Sequence, residues 1–221
     1  MSLIQQWQLF LFDFDGLLVN TEELHFDAYK QMLAGQGISF NWSFEKYCQS
    51  AHYASEKFRE EILEQYPQLK SIPWEKLYQE KQRMIQESLR NGSVHLMPGV
   101  EDLLTEPQEK NLKHAVVTHS PDKLVSIVRK QHPVLDRIPF WITRHDYQHP
   151  KPNPECYALA IERHAQPDEK VIGFEDTPRG LNALLGTRAQ PVLITTIPYP
   201  EIPFFKEKGV PHFQTFKSIA L

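Results

Sequence analysis

The sequence predicts a doubly wound α/β core on a parallel sheet, with a small all-helical domain inserted after the first strand. Residues 9–12 are apolar at every position, as a strand buried on both faces requires. Residues 20–92 show helical periodicity and no strand-like alternation. After residue 98, short apolar runs alternate with helix-length segments, a pattern typical of parallel sheets covered by helices.

The first strand is followed by the predicted helical insert. Asn20, with Glu23 three residues later, indicates a capping box that opens a helix running to about residue 34. In the last helix of the insert, one face is expected to carry Leu77, Met84, Ile85 and Leu89. We therefore place a discontinuous core at 1–20 and 93–221 and the helical domain at 21–92. After the first helix, the helices expected in the insert cover 44–48, 54–65 and 74–90.

Beyond the insert, strands and helices are expected in alternation. Several of these helices begin near a proline. Proline suits the first turn of a helix because a backbone N–H at that position would have no partner within the helix. The segment after Pro198 is proline-rich, and we expect only one helix in it, near 204–208. The strands are predicted at 115–117, 140–143, 171–174 and 191–195, and the helices at 121–131, 154–164 and 178–185.

Composition restricts the class of partner and the compartment. The chain carries 24 Lys and Arg against 28 Asp and Glu, and this net charge of −4 argues against nucleic-acid or anionic-membrane binding. Its two cysteines, Cys48 and Cys156, form neither a disulfide framework nor a CxxC pair. No secretory signal or membrane-length apolar run is recognisable. We expect a cytoplasmic monomer without nucleic-acid or membrane partners.

Polar residues follow the predicted strands at the carboxyl edge of the sheet, where doubly wound proteins bind their ligands. Because alternate residues of an extended strand share a face, the two acids after the first strand point the same way. Carboxylates that converge on one cleft repel each other, and a divalent cation with oxygen ligands, typically Mg²⁺, relieves that repulsion. The candidate residues are Asp13 and Asp15, Thr118 and His119, Lys151, and Glu175 and Asp176.

Four segments in a fixed order carry a family resemblance. They read Asp13-Phe-Asp15-Gly16, Val116-Val-Thr118-His119-Ser120, Lys151-Pro152-Asn-Pro154 and Phe174-Glu175-Asp176-Thr177-Pro-Arg-Gly180. In sequence and order they resemble the motifs of the haloacid dehalogenase superfamily of phosphotransferases. The helical insert between the first two motifs resembles the cap of the β-phosphoglucomutase-like branch. The resemblance extends to about residue 195 and implies a Rossmann-like core with a helical cap.

The resemblance implies a role for each motif residue. Asp13 would attack phosphorus to form an aspartyl-phosphate, and Asp15 would protonate the leaving oxygen and then activate water. Mg²⁺ would bind the Asp13 carboxylate, the Asp15 backbone carbonyl and Asp176, with Glu175 an outer partner or an occasional ligand. The residues expected to hold the phosphoryl oxygens are Thr118 and Lys151.

Two histidines are further candidates for substrate binding. His25 lies one turn into the first helix of the insert, where mutase-type relatives place a histidine near the acid–base Asp. The alternative for His25 is an ordinary, partly exposed helix residue. His119 stands where phosphatase relatives often carry Asn.

The sequence favours a Mg²⁺-dependent phosphatase that acts on a small phosphorylated metabolite, a sugar or polyol phosphate. The mutase's cap loop carries an Arg and a Lys that hold a second phosphate, and residues 50–55 contain neither. The alternatives are a phosphomutase of the β-phosphoglucomutase type and a catalytically idle phosphate- or partner-binding protein on the same fold. A phosphonate hydrolase would need a cap lysine, and nothing singles one out among Lys30, Lys46 and Lys57.

Overall fold

The computed structural model describes residues 6–53, 55–110 and 112–219, apart from the side chains at 106 and 107. Its contacts divide the chain into two compact units, one comprising 1–20 and 95–221 and the other 21–94. We call them the sheet unit and the helical unit. Across the described part of the chain, no helix is both long and apolar enough to cross a bilayer.

The sheet unit is built on six parallel strands in the order β3-β2-β1-β4-β5-β6. This order reverses direction at β1, as in doubly wound sheets, and the predicted fold class is confirmed. Every residue of β1 is buried, which explains its uninterrupted apolar sequence. The strands are β1 (Leu9–Phe12), β2 (Lys113–Val117), β3 (Phe140–Ile142), β4 (Val171–Glu175), β5 (Gln190–Ile194) and β6 (His212–Phe213).

The helices of the sheet unit include two that the sequence analysis missed, α5 and α7, and the short edge strand β6 was missed as well. Val100, Leu103 and Leu104 are buried on α5 at the spacing of one helix face, which is the signal that would have predicted it. The helices of this unit are α5 (Val100–Glu109), α6 (Asp122–Gln131), α7 (Pro133–Asp136), α8 (Glu155–His164), α9 (Pro178–Leu185) and α10 (Ile202–Glu207).

The helical unit packs around aromatic side chains. Tyr29 lies edge-on to Phe58 with the ring centroids 5.0 Å apart, and Tyr47 packs on both rings at 5.9 and 5.6 Å. Ala54, where we placed a helix start, lies outside the described residues. The helices of this unit are α1 (Thr21–Gly35), α2 (Phe44–Ala51), α3 (Ser55–Gln65) and α4 (Trp74–Arg90).

The chain leaves and re-enters the sheet unit at two residues that are hydrogen-bonded to each other. The side-chain oxygen of Asn20 accepts from the His95 backbone N–H at 2.7 Å, and the Asn20 N–H donates to the His95 carbonyl at 3.1 Å. Asn20 therefore joins the two connecting segments at the point where helix α1 begins.

Candidate active site at the carboxyl ends of the strands

Strand register determines which groups surround Asp13. Phe12, the last residue of β1, lies opposite Val116 of β2 and Phe174 of β4. The Asp13 N–H donates to the Phe174 carbonyl at 3.0 Å and so extends the ladder by one residue. Asp13 consequently lies level with the ends of both neighbouring strands, next to Glu175.

The Lys151 ammonium group connects the ends of three chain segments. Its Nζ lies 2.7 Å from Glu175 Oε1 and 2.9 Å from the Val117 carbonyl oxygen, and it forms a short contact with Asp13 Oδ1. The same Nζ lies 3.0 Å from the Tyr157 hydroxyl. Lys151 is only 8 % exposed, so the carboxylates, rather than water, stabilise its charge. These carboxylates raise the pKa of Lys151 although burial opposes the rise.

Three buried carboxylates form a set that fits a divalent cation. Asp13, Glu175 and Asp176 each offer an oxygen, and these oxygens all lie within 4.8 Å of one another. Burial raises the pKa of Asp13 to about 8 against the lowering effect of Lys151, and Glu175 and Asp15 add to the rise. Because Lys151 offsets at most one negative charge, an added cation would relieve the remaining repulsion, and hard oxygen ligands suit Mg²⁺.

Asp15 is held by hydroxyl groups that follow β2. Its Oδ2 accepts from the Thr118 hydroxyl at 3.0 Å and from the Ser120 hydroxyl at 2.6 Å. Tyr147 donates to the Thr118 carbonyl at 3.1 Å and lies 2.9 Å from His119 Nδ1. The second motif thus orients Asp15, and Tyr147 fixes the backbone that carries both hydroxyls.

The fourth motif makes room for the Glu175 carboxylate by having glycine at 180. A Cβ on Gly180 would lie 1.9–2.0 Å from the carboxylate atoms of Glu175. Thr177 caps helix α9 by accepting from the Gly180 N–H at 3.1 Å, which fixes the position of the helix start. Glycine is therefore required here for space, because Glu175 is held in place by its contacts with Lys151.

We expect Gly180→Ala to displace Glu175 and to destabilise the protein by about 1–3 kcal/mol through overpacking. Thermal and urea unfolding would measure the loss. Gly35→Ala is the matched control, since its Cβ would lie 3.4 Å from Glu80 Oε1 at a helix end, and we expect it to be neutral or stabilising. Equal stability of the wild type and Gly180→Ala would contradict the steric argument.

The helical unit contains a polar cluster of its own, which includes His25. Lys81 is 3 % exposed, and its Nζ donates to His25 Nδ1 at 2.7 Å, so that this nitrogen carries no proton. Burial, together with the Lys81 ammonium, lowers the pKa of His25 to about 4, and burial lowers the pKa of Lys81 to about 8. His52 Nε2 lies 3.1 Å from Glu22 Oε2. Burial by itself would raise the pKa of Glu22. The nearby His52, together with His25 and Lys81, outweighs this effect and lowers the pKa of Glu22 to about 2.

The structure brings seven of the predicted site residues together in the sheet unit, and it places His25 in the cluster of the helical unit. The contacts of Tyr157, Ser120 and Lys81 were not predicted from the sequence. Lys81 could have been singled out from the sequence, because it occupies one position in a row spaced four residues apart on α4. The other positions of this row are the buried apolar residues Leu77, Ile85 and Leu89. A lysine in such a row indicates a buried ammonium with a dedicated partner.

The sequence of this chain matches a protein family and several known proteins. The family model for haloacid dehalogenase-like hydrolases matches residues 10–190. Protein CbbY of Cereibacter sphaeroides is 26 % identical over 80 % of this chain and 79 % of its own length. The phosphorylated carbohydrates phosphatase of Thermotoga maritima is 27 % identical over 78 % of each chain. The residues matched by the family model include all four motifs of the sheet unit.

Solved structures show the same fold. The crystal structure of CbbY from Rhodobacter sphaeroides in complex with phosphate superposes with a TM-score of 0.73 at 22 % identity and covers 96 % of both chains. β-Phosphoglucomutase of Clostridium difficile gives a TM-score of 0.68 at 19 % identity and covers 95 % of this chain and 92 % of its own. The family model, which matches residues 10–190, confirms the resemblance seen in the motifs, and the chain belongs to the haloacid dehalogenase-like hydrolase family.

Proposed function

We propose that the protein is a Mg²⁺-dependent phosphatase that hydrolyses a small phosphorylated metabolite through an aspartyl-phosphate on Asp13. One observation carries the proposal: the Asp13 carboxylate contacts the Lys151 ammonium and lies in one oxygen cluster with Glu175 and Asp176. A nucleophile, a fixed cation and a set of metal ligands thus meet at one strand end. These are the groups that phosphoryl transfer to a carboxylate needs.

In this mechanism Asp13 Oδ attacks phosphorus while Asp15 donates a proton to the leaving oxygen, and Asp15 then accepts a proton from the hydrolytic water. The Ser120 hydroxyl orients Asp15 for both steps, and the Thr118 hydroxyl does so until the phosphoryl group binds. Lys151 donates to a phosphoryl oxygen, and the Thr118 hydroxyl is a second donor once it turns from Asp15 to the phosphoryl group. Mg²⁺ would supply charge neutralisation between Asp13 and the phosphoryl group, held by Asp13, the Asp15 carbonyl and Asp176, with Glu175 beside them.

A sugar or polyol phosphate is the proposed substrate class. Relatives are named as phosphatases of phosphorylated carbohydrates and of glycerol 3-phosphate. The cluster in the helical unit supports this class, because Glu22, His25, His52 and Lys81 offer both donors and acceptors for hydroxyl groups. We propose that this unit is a cap, and that His25 is its substrate-binding residue.

His119 is the remaining proposed substrate contact in the sheet unit. Its exposed ring is oriented by the Tyr147 hydroxyl, so it could meet a substrate hydroxyl without first being ordered. We also infer that the protein works as a monomer in the cytoplasm. Cys48 and Cys156 are both buried and neither is in a disulfide, which supports a reducing compartment.

The decisive experiment is a panel of sugar and polyol phosphates, with phosphate release measured in Mg²⁺ and in EDTA. We expect release from at least one substrate, its loss in EDTA and its return when Mg²⁺ is restored, because the carboxylate cluster repels the phosphoryl group without a cation. Transfer of the phosphoryl group to a second hydroxyl, detected by ³¹P NMR, would favour a mutase. Absence of both reactions across the panel would favour the idle binding protein.

A further inference from the structure

Tyr157 lies beside Lys151 and Glu175, and Lys151 in turn contacts Asp13. It is fully buried, in the first turn of α8. Its hydroxyl lies 2.5 Å from Glu175 Oε1 and 3.0 Å from Lys151 Nζ. The Lys151 ammonium also lies over the Tyr157 ring, 4.6 Å from the centroid. A buried hydroxyl between a carboxylate and an ammonium has a fixed direction of hydrogen bonding.

That direction follows from the number of hydrogens available. An ammonium group cannot accept a hydrogen bond, so the single Tyr157 hydroxyl hydrogen goes to Glu175. Lys151 has three N–H groups, whereas oxygens of Asp13, Val117, Glu175 and Tyr157 all lie within hydrogen-bonding distance of its Nζ. Glu175 Oε1 therefore has two donors available, while Lys151 has more acceptors than hydrogens.

A phosphoryl oxygen would add one more acceptor to this set. Lys151 can serve it only by withdrawing an N–H from a present partner. A buried carboxylate oxygen without a donor would be costly. If Lys151 withdraws an N–H from Glu175, this cost is avoided because the carboxylate oxygen keeps the Tyr157 hydrogen bond. The other Glu175 oxygen has a weaker partner, since the Thr177 hydroxyl lies 3.4 Å from Oε2.

We propose that Tyr157 is a positioning residue that holds Glu175 while Lys151 redirects one N–H from this carboxylate to the phosphoryl oxygen. The inference rests on the proposed function, because it needs Lys151 to bind the phosphoryl group. Tyr157 does not touch the substrate itself. It lowers the cost of the exchange by serving as the second donor to Glu175.

Tyr157→Phe tests the proposal, because it keeps the ring, its packing and the ammonium–ring contact and removes only the hydroxyl. We expect inorganic phosphate, titrated calorimetrically with Mg²⁺ present, to bind about ten-fold more weakly, and KM for the best substrate to rise about as much, with a smaller change in kcat. Tyr66→Phe is the matched control. It also removes a buried hydroxyl, one that accepts from the Asn41 N–H at 3.0 Å, and should bind phosphate as the wild type does.

The outcomes separate the inference from the function on which it rests. The inference alone would be overturned if the wild type hydrolyses phosphomonoesters and Tyr157→Phe has a lower melting temperature but the same phosphate affinity and KM as the wild type. A wild type that neither binds phosphate nor hydrolyses any substrate of the panel would overturn both. Weaker phosphate binding by Tyr157→Phe, with Tyr66→Phe unchanged, supports the exchange at Lys151.

Discussion

Asp13→Asn is expected to reduce phosphatase turnover by roughly 10⁴-fold or more while the protein stays folded. The amide keeps the shape of the carboxylate but is a far weaker nucleophile towards phosphorus. Single-turnover phosphate release with Mg²⁺ measures the loss. Trapping of a phosphorylated protein by rapid acid quench should succeed for the wild type and fail for Asp13→Asn.

The same substitution is expected to maintain or raise stability when no metal is present. Burial and the charges of Glu175 and Asp15 raise the pKa of Asp13, which means that folding opposes its ionisation. Removing that charge leaves Lys151 paired with Glu175. Thermal unfolding in EDTA at neutral pH tests this expectation, with the exposed Asp168→Asn as the control for loss of one negative charge. Retained turnover in Asp13→Asn would refute the assigned nucleophile.

The sequence was sufficient to predict the fold class and the residues that meet at the strand ends. A short, fully apolar run is typical of a central strand, since a strand covered on both faces has no polar positions, and β1 fits this description. The carboxyl ends of parallel strands lie at one edge, so Asp13 and Glu175 could be placed at the same edge from the sequence. That they are neighbours follows from the strand order of the structure, in which β1 lies beside β4.

The direction of individual hydrogen bonds could not be predicted in this way. Thr118 was assigned to the phosphoryl group, yet its hydroxyl donates to Asp15, a choice that depends on distances of a few tenths of an ångström. Tyr157 lies six residues after Lys151, in a helix whose orientation on the sheet determines whether its hydroxyl reaches Glu175. Such contacts depend on tertiary packing and leave no local pattern.

Lys151→Met is expected to cost about 3–5 kcal/mol of stability, in addition to lowering activity by roughly 10²–10³-fold. Methionine fills similar volume but leaves the Asp13 and Glu175 carboxylates buried beside each other without the ammonium that contacts both. Lys113→Met is the matched control, because the Lys113 ion pair with Glu169 is partly exposed and is expected to contribute less than about 1 kcal/mol. Urea unfolding in EDTA measures both variants.

A second substitution identifies the cause of this instability. If buried carboxylate repulsion causes it, Glu175→Gln added to Lys151→Met should recover much of the lost stability, since it removes one of the charges that Lys151 balanced. Activity should stay low, because neither change restores a cation for the phosphoryl group. Failure of the double variant to regain stability would show instead that Lys151 acts through its packing. Recovery of stability without activity would establish that one ammonium serves both the fold and the chemistry.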